Sequence, residues 1–572
     1  MYIKIFLTKQ LIKIYIISLF LISCSNVQKQ EINYKILTPK SDWTYYSDSK
    51  ITFSTNINSE DVQWFSDIDG YLGNGNGFSL SLSAGAHKIK TVLFNVEKTV
   101  DVYVDWRRVK KGQTVKYLVN SNNQTIQLPT GCYSPALIAL NGSINKTSYI
   151  TKSIQSELKK DIHIDSTVKG KNVIENTTRN VNNVDYKLDD EKQFYVVNTK
   201  NQSLEPHQIL AKVIKISDSY TVWYPVNPEK YSSIILNESD LDSCLSEIDT
   251  RIIPRLQILW GNLPDIDGDK KVSFLFTPTI NEEQTAIGFF NSSDFYKRDD
   301  FSPYSNEMDV LYIAVPEPEK FSYSVKCISA TIAHELTHAI NYNIKTYTRV
   351  LNNEAALVEE TFLDEAESHL SESLCGYGIS GGNISTLFYY LNNMEKFSVC
   401  QNDYLGSGDS NGRRGATTMF LSWLFWKKGG IRWNSNNPLE IIDEGGISFI
   451  QKLVASNGIG WENIGSVFGK STDQLYVEMV EELNACRKNQ SPSVLDPYSH
   501  EPVQLFPDYC TYSLEETGKS WNLSIPYISS GQLASLIPYS FVFFESIKNE
   551  GISMLNSSKI EGQVIELLCL EE

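Results

Sequence analysis

The stretch "SATIAHELTHAINYN", residues 329–343, decides how this chain is read. Val325, Ile328, Ile332, Leu336 and Ile340 recur at steps of three and four, an apolar stripe that predicts a helix. His334 and His338 are four residues apart, so a helix sets both imidazoles on one face, one turn apart. Two rings so placed can reach one tetrahedral zinc at about 2.0–2.1 Å. Glu335 is turned by about 100° from His334, so it can approach a zinc-bound water without being a ligand. The bland alternative is a helix that carries two surface or capped histidines. The chain has only seven histidines, and that counts against a chance H-E-x-x-H.

A catalytic zinc needs a third protein ligand and one open position. No histidine follows at the H-x-x-G-x-x-H spacing, which excludes the metzincin arrangement. Downstream, "NNEAALVEETFLDEAESHLSESLCGYG" (352–378) offers Glu354, Glu359, Glu360, Glu365, Glu367, Glu372 and His369. Leu357, Phe362, Leu363, Ala366 and Leu370 mark a packed side. Glu365 sits among them, where an unpaired carboxylate is costly and a metal ion would offset the cost. Glu360 is the rival, because Glu360 and Asp364 have the E-x-x-x-D spacing of thermolysin-like enzymes. These residues by themselves leave both open.

"TIAHELTHAINYN" (331–343) followed by "FLDEAESHLSESLCGYG" (362–378) resembles the hyicolysin family of H-E-x-x-H metallopeptidases, over about residues 190–430. Members typically read T-I-A-H-E-x-x-H-x-I-N-x-N, then W-L-N-E-G-L-S-x-x-A-E-D. The resemblance implies a zincin fold with His334, His338 and Glu365 as zinc ligands and Glu335 as the base. It further implies a peptidase acting on protein or peptide substrates. The chain departs from the pattern with Phe362 for Trp, Asp364 for Asn and Ala366-Glu367 for Gly-Leu. None of these removes a ligand, although Glu367 adds a charge to the pocket. In such a site Glu335 takes a proton from the zinc-bound water as it attacks the scissile carbonyl, then passes it to the leaving amine. The oxyanion needs a second donor, for which His369, Tyr377 and Tyr404 are candidates. The strand "DVLYIAV" (309–315) is expected to bind extended substrate by edge pairing.

Outside this region the chain reads as several domains, as 572 residues require. Residues 1–23 have a signal peptide's pattern: Lys4, Lys9 and Lys13, then the apolar run "IYIISLFLIS", too short to span a bilayer. "LISC" resembles a bacterial lipobox. It implies acylation of Cys24, residues 24–32 as a tether, and a lipid anchor at the bacterial cell envelope, on the outer membrane or cell surface. Residues 33–105 alternate apolar and polar residues between turns, and "WFSDIDGYLGNGNGFSLSLSAGAHKI" resembles immunoglobulin-like surface modules. Residues 106–215 are expected to be β-rich. Residues 216–494 are expected to form the α+β zincin-like metallopeptidase domain, with helices at 354–374, 413–428 and 472–487. Residues 495–572 return to strand-like runs and suggest a closing β domain.

The net charge of −17, with no basic stripe, argues against a nucleic-acid partner. Eight cysteines besides Cys24 could form up to four disulfides. "PDIDGDKKVSF" places Asp265, Asp267 and Asp269 at alternate positions, like the start of a calcium loop. Glycine is fourth rather than sixth, and no glutamate stands at position twelve. An Asp/Gly turn before a strand is therefore favoured, with Ca2+ as the lesser alternative. The function expected is a zinc endopeptidase. The alternatives are a surface-anchored binding protein or adhesin with a non-catalytic zincin domain, and a zinc hydrolase acting on something other than protein. The intact Glu335 argues against the adhesin.

Overall fold

The computed structural model describes residues 33–105, 184–401 and 409–488 with short breaks, and several further strands on either side of them. Residues 1–32, with the expected signal peptide, Cys24 and tether, lie outside the described residues, as does Tyr404. The chain divides into two units, Met1–Arg107 and Arg108–Glu572.

The first unit is β-rich. Strands Ile36–Thr38, Ile51–Thr55 and Phe78–Leu80 form one sheet, and five strands from Thr44–Tyr46 to Val96–Asp105 form another. Gly85–Leu93 alternates buried and exposed positions, the pattern of a strand with one wet face. It pairs with Val96–Asp105 through a two-residue turn in which Phe94 and Asn95 both have positive φ, the hairpin turn that matches strand twist. Phe53, Trp64, Ile89 and Val104 lie fully buried in its core.

The second unit is built on a six-stranded sheet. Its strands are β1 (Glu191–Val196), β2 (His207–Ile216), β3 (Tyr220–Pro225), β4 (Val272–Phe276), β5 (Gly288–Phe290) and β6 (Val310–Ile313). Their spatial order is β1-β2-β3-β4-β6-β5. The central pairs β3/β4 and β4/β6 are parallel, and β6/β5 is antiparallel. β4 and β6 are buried at every position, as strands covered on both faces must be. Val272, Phe274, Phe276, Leu311 and Ile313 face the helices, whereas Leu275, Val310 and Tyr312 enter a smaller core on the other face with Phe194 and Trp223.

Five helices matter for the site: α1 (Glu238–Glu247, continuing through 259), α2 (Val325–Tyr342), α3 (Thr361–Leu374), α4 (Asn383–Leu391) and α5 (Asn411–Lys427). α2 starts where Ser324 accepts a hydrogen bond from the Cys327 amide. α3 packs on α2, and α5 packs on α3. Among the described residues no helix is long and apolar enough to cross a membrane.

Several expectations are corrected. The boundary at 215 cuts a sheet, because β2 and β3 are hydrogen-bonded neighbours, so residues 191–225 belong with the helices that follow. Nor is the 495–572 region separate. Strands Pro135–Leu140 and Thr114–Leu118 both pair with Val564–Cys569, and Pro135–Leu140 also pairs with Ser540–Phe543. The helix expected from 354 starts at Thr361. Asn353 has positive φ, and residues 354–360 form neither helix nor strand, with Glu359 ion-paired to Lys345. Finally, "DVLYIAV" is β6, an interior strand. The sheet edge is β5.

Cys244, Cys327, Cys375 and Cys400 are thiols rather than half-cystines. Burial pushes Cys244 and Cys375 up to about 12, so neither is a nucleophile at neutral pH.

Candidate metal centre

The edge strand comes unusually close to α2. A β-carbon at Gly288 would stand 2.9 Å from both the Thr331 side chain and the Tyr312 carbonyl, so only glycine allows this approach. Two residues on, the Phe290 amide donates to Glu335 Oε2 at 2.9 Å. The sheet edge thereby fixes the acid that follows the first histidine. Burial raises the Glu335 carboxyl above its usual range and Glu365 adds to this, while His334, His338 and the Phe290 amide pull it down.

His334 and His338, one turn apart on α2, face Glu365 on α3. The two Nε2 atoms are 3.1 Å apart. Glu365 Oε2 lies 3.4 Å from His334 Nε2, and Oε1 lies 3.9 Å from His338 Nε2. Two ligands at about 2.0–2.1 Å from a tetrahedral zinc are about 3.3 Å apart, so these spacings suit a shared ion. All three side chains are buried.

His369, one turn beyond Glu365 on α3, joins the group. His334, Glu365 and His369 place one ligand atom each within 4.8 Å of one another. His369 Nε2 is 3.9 Å from Glu365 Oε2 and has no hydrogen-bond partner. A buried, orphaned nitrogen is costly, and a cation beside it would remove the cost. The structure therefore gathers His334, Glu365 and His369 most closely, whereas His338, expected as the third ligand, stands 3.9 Å from the other oxygen of Glu365. The His369 ring is as close to His334 as the His338 ring is, with centroids 4.6 and 4.8 Å away.

The opposite ring nitrogens are held by carboxylates. Glu372 Oε1 lies 2.8 Å from both His334 Nδ1 and His369 Nδ1, and Asp364 Oδ2 lies 3.0 Å from His338 Nδ1. The two Glu372 hydrogen bonds favour the proton on Nδ1 of His334 and His369 and turn their Nε2 atoms toward a metal. Burial alone would raise the Glu372 carboxyl, but His369 and His334 outweigh it and hold it down at about 2. Burial likewise lowers His334, yet Glu365, Glu372 and Glu335 together raise it to about 10. A field that grips a proton so firmly would grip a divalent cation as well. Burial keeps His369 below its usual range and therefore neutral. With its proton on Nδ1, His369 Nε2 is an acceptor, which suits a ligand and does not suit the oxyanion donor considered above.

The donor set of imidazole nitrogens, with outer carboxylates beside them, and one carboxylate held by Arg414 fits zinc. Replacing Glu372 with glutamine should keep the shape and lose the charge. Metal affinity measured by chelator competition should fall about 10- to 100-fold, and unchanged affinity would deny Glu372 this role.

The other candidates fall elsewhere. Glu360 stands at the N-cap of α3 with an extended backbone and no side-chain capping bond, and its carboxyl group lies against Gly460. Tyr377 is buried and donates to Glu247 at 2.9 Å. Glu367 is buried beneath the cleft and accepts from Asn341 Nδ2 at 2.9 Å. Burial and Glu359 raise its carboxyl well above the usual range, so it adds less charge to the pocket than its type suggests. Arg414, on α5, has no sequence signal that marks it. Its guanidinium sits 3.2 Å from Glu365 Oε1 and is held by Asp409 at 2.8 Å. The whole group opens on a cavity of roughly 410 Å³ lined by β5, α2 and α3, a size suited to a side chain or small ligand. The chain matches no family model and no curated protein sequence.

Proposed function

We propose that this chain is a zinc-dependent endopeptidase of the hyicolysin type, with a zincin catalytic domain. The observation that carries this reading is the convergence of His334, His338 and Glu365 beside Glu335, with Glu335 hydrogen-bonded to the sheet edge that borders the cavity. His334, His338 and Glu365 would hold the ion. When bound, zinc acidifies water to a pKa of about 7 and polarises a carbonyl oxygen.

The chain's own residues do the rest. Phe290 occupies Glu335 Oε2, so Oε1 is the oxygen that takes a proton from the attacking water and later gives it to the leaving amine nitrogen. The backbone of β5, with one side unpaired in the sheet, suits an extended peptide laid antiparallel to it. Arg414 donates to Glu365 Oε1, so Glu365 would grip the ion through Oε2, the oxygen 3.4 Å from His334 Nε2. The first unit reads as an immunoglobulin-like spacer. Acylated Cys24 would anchor the protein at a bacterial envelope, with protein or peptide substrates as partners.

Purified protein should carry about one zinc per chain, and a chelator should abolish casein cleavage, which added zinc restores. His338→Ala should empty the site, whereas His369→Ala should leave most of the metal in place. The reverse order would move the third corner to His369, and a zinc-free protein at neutral pH would sink the reading.

A further inference from the structure

We propose that a second, structural cation site, built for Ca2+, lies in the loop between the end of α1 and β4. Asp265, Asp267 and Asp269 each bring a carboxylate oxygen to within 4.8 Å of the others. Opposite ligands on a calcium ion at about 2.4 Å are about 4.8 Å apart, so the three span one coordination shell. Positive φ at Gly268 and Lys270 curls the loop and makes alternate residues converge.

Acidic clusters are common, and a fourth residue separates this one from the rest. Asp309, immediately before β6, is only 1 % exposed. Its Oδ1 accepts from the Ile266 amide at 3.1 Å, which ties it to the loop, while Oδ2 is buried without a hydrogen-bond partner. Asp269 Oδ2 is buried and orphaned in the same way. After burial, Asp267 is the largest influence raising the Asp309 carboxyl, and Asp269 adds to it. Burial and then Asp267 likewise push Asp269 up to about 7.

Two lysines near the loop have partners elsewhere. Lys271 Nζ is bonded to the Ser217 and Asp218 carbonyls, at 2.6 and 3.3 Å. Lys192 feels Asp267 but also Asp294 and Glu307, and burial lowers its ammonium. An all-oxygen, multiply charged and partly wet pocket is what a hard cation takes, with backbone carbonyls and water completing the six to eight ligands of calcium. Bound there, calcium would clamp the starts of two central parallel strands, β4 and β6. β6 in turn carries the edge strand that contacts Glu335.

The test uses the full chain saturated with zinc. Calcium chloride should raise the melting temperature by on the order of 5 °C at about 100-fold excess over Kd. Terbium should bind in place of calcium and glow through Tyr186, whose hydroxyl is 3.3 Å from Asp267 Oδ2. Asp309→Asn should lose both responses. Because it removes one of the crowded charges, it should also melt higher than the wild type in calcium-free buffer. That gain distinguishes the variant from a misfolded one. No calcium shift and no terbium emission at millimolar ion would overturn the site, and an equal shift from magnesium would overturn calcium as its ion. Neither readout involves peptide cleavage, so the outcome is independent of the peptidase reading.

Discussion

Glu335→Gln should retain its zinc and lose casein cleavage by about 10²- to 10⁴-fold, the usual contribution of a positioned acid–base group. The separation of the two effects follows from the geometry. Glu335 is held by the Phe290 amide, and the His334 and His369 rings are oriented by Glu372. Glutamine keeps a carbonyl oxygen to accept the Phe290 amide, so the 2.9 Å link to the sheet edge survives. What it cannot do is take a proton. Burial already strains the ionised form of Glu335, so glutamine costs no stability through lost solvation. Metal analysis and a casein assay on one preparation would decide, and undiminished cleavage by a zinc-loaded variant would remove Glu335 from the mechanism.

The local parts of this site were legible because helix periodicity is local. Four-residue spacing alone placed His334 over His338, and the apolar stripe of α3 set Glu365 on the buried side. The outer carboxylates were harder. Glu372 and Asp364 stood among the competing acids, and nothing in their spacing says which would turn to the Nδ1 atoms of the histidines. Sheet order was not legible at all. "DVLYIAV" is apolar enough for an interior strand, whereas its neighbour Gly288–Phe290 is three residues long and carries no strand signal of its own. The same gap hid the pairing of 114–140 with the C-terminal strands, which depends on partners hundreds of residues apart. The loop sequence 265–276 ends without an acidic residue at its twelfth place, and Asp309, the fourth carboxylate, lies some forty residues further along the chain.

Glu365→Ala and Glu360→Ala make the sharpest comparison left. Both residues were open as the third ligand, and α3 separates them. Glu365 points inward, with Oε2 at 3.4 Å from His334 Nε2, while the carboxyl of Glu360 rests against Gly460 at the start of the helix. Loss of Glu365 should strip most of the zinc during ordinary purification, since a three-ligand site reduced to two imidazoles has lost its only anionic donor. Arg414 sharpens the effect. Its guanidinium now balances Glu365 and Asp409, and without Glu365 a positive group would stand beside the vacated corner and repel the ion. Glu360→Ala should keep its zinc and its activity, with at most a small loss of stability. Should Glu360→Ala lose the metal and Glu365→Ala keep it, the two histidines would be serving a different centre, and the proposed peptidase would lose its third ligand.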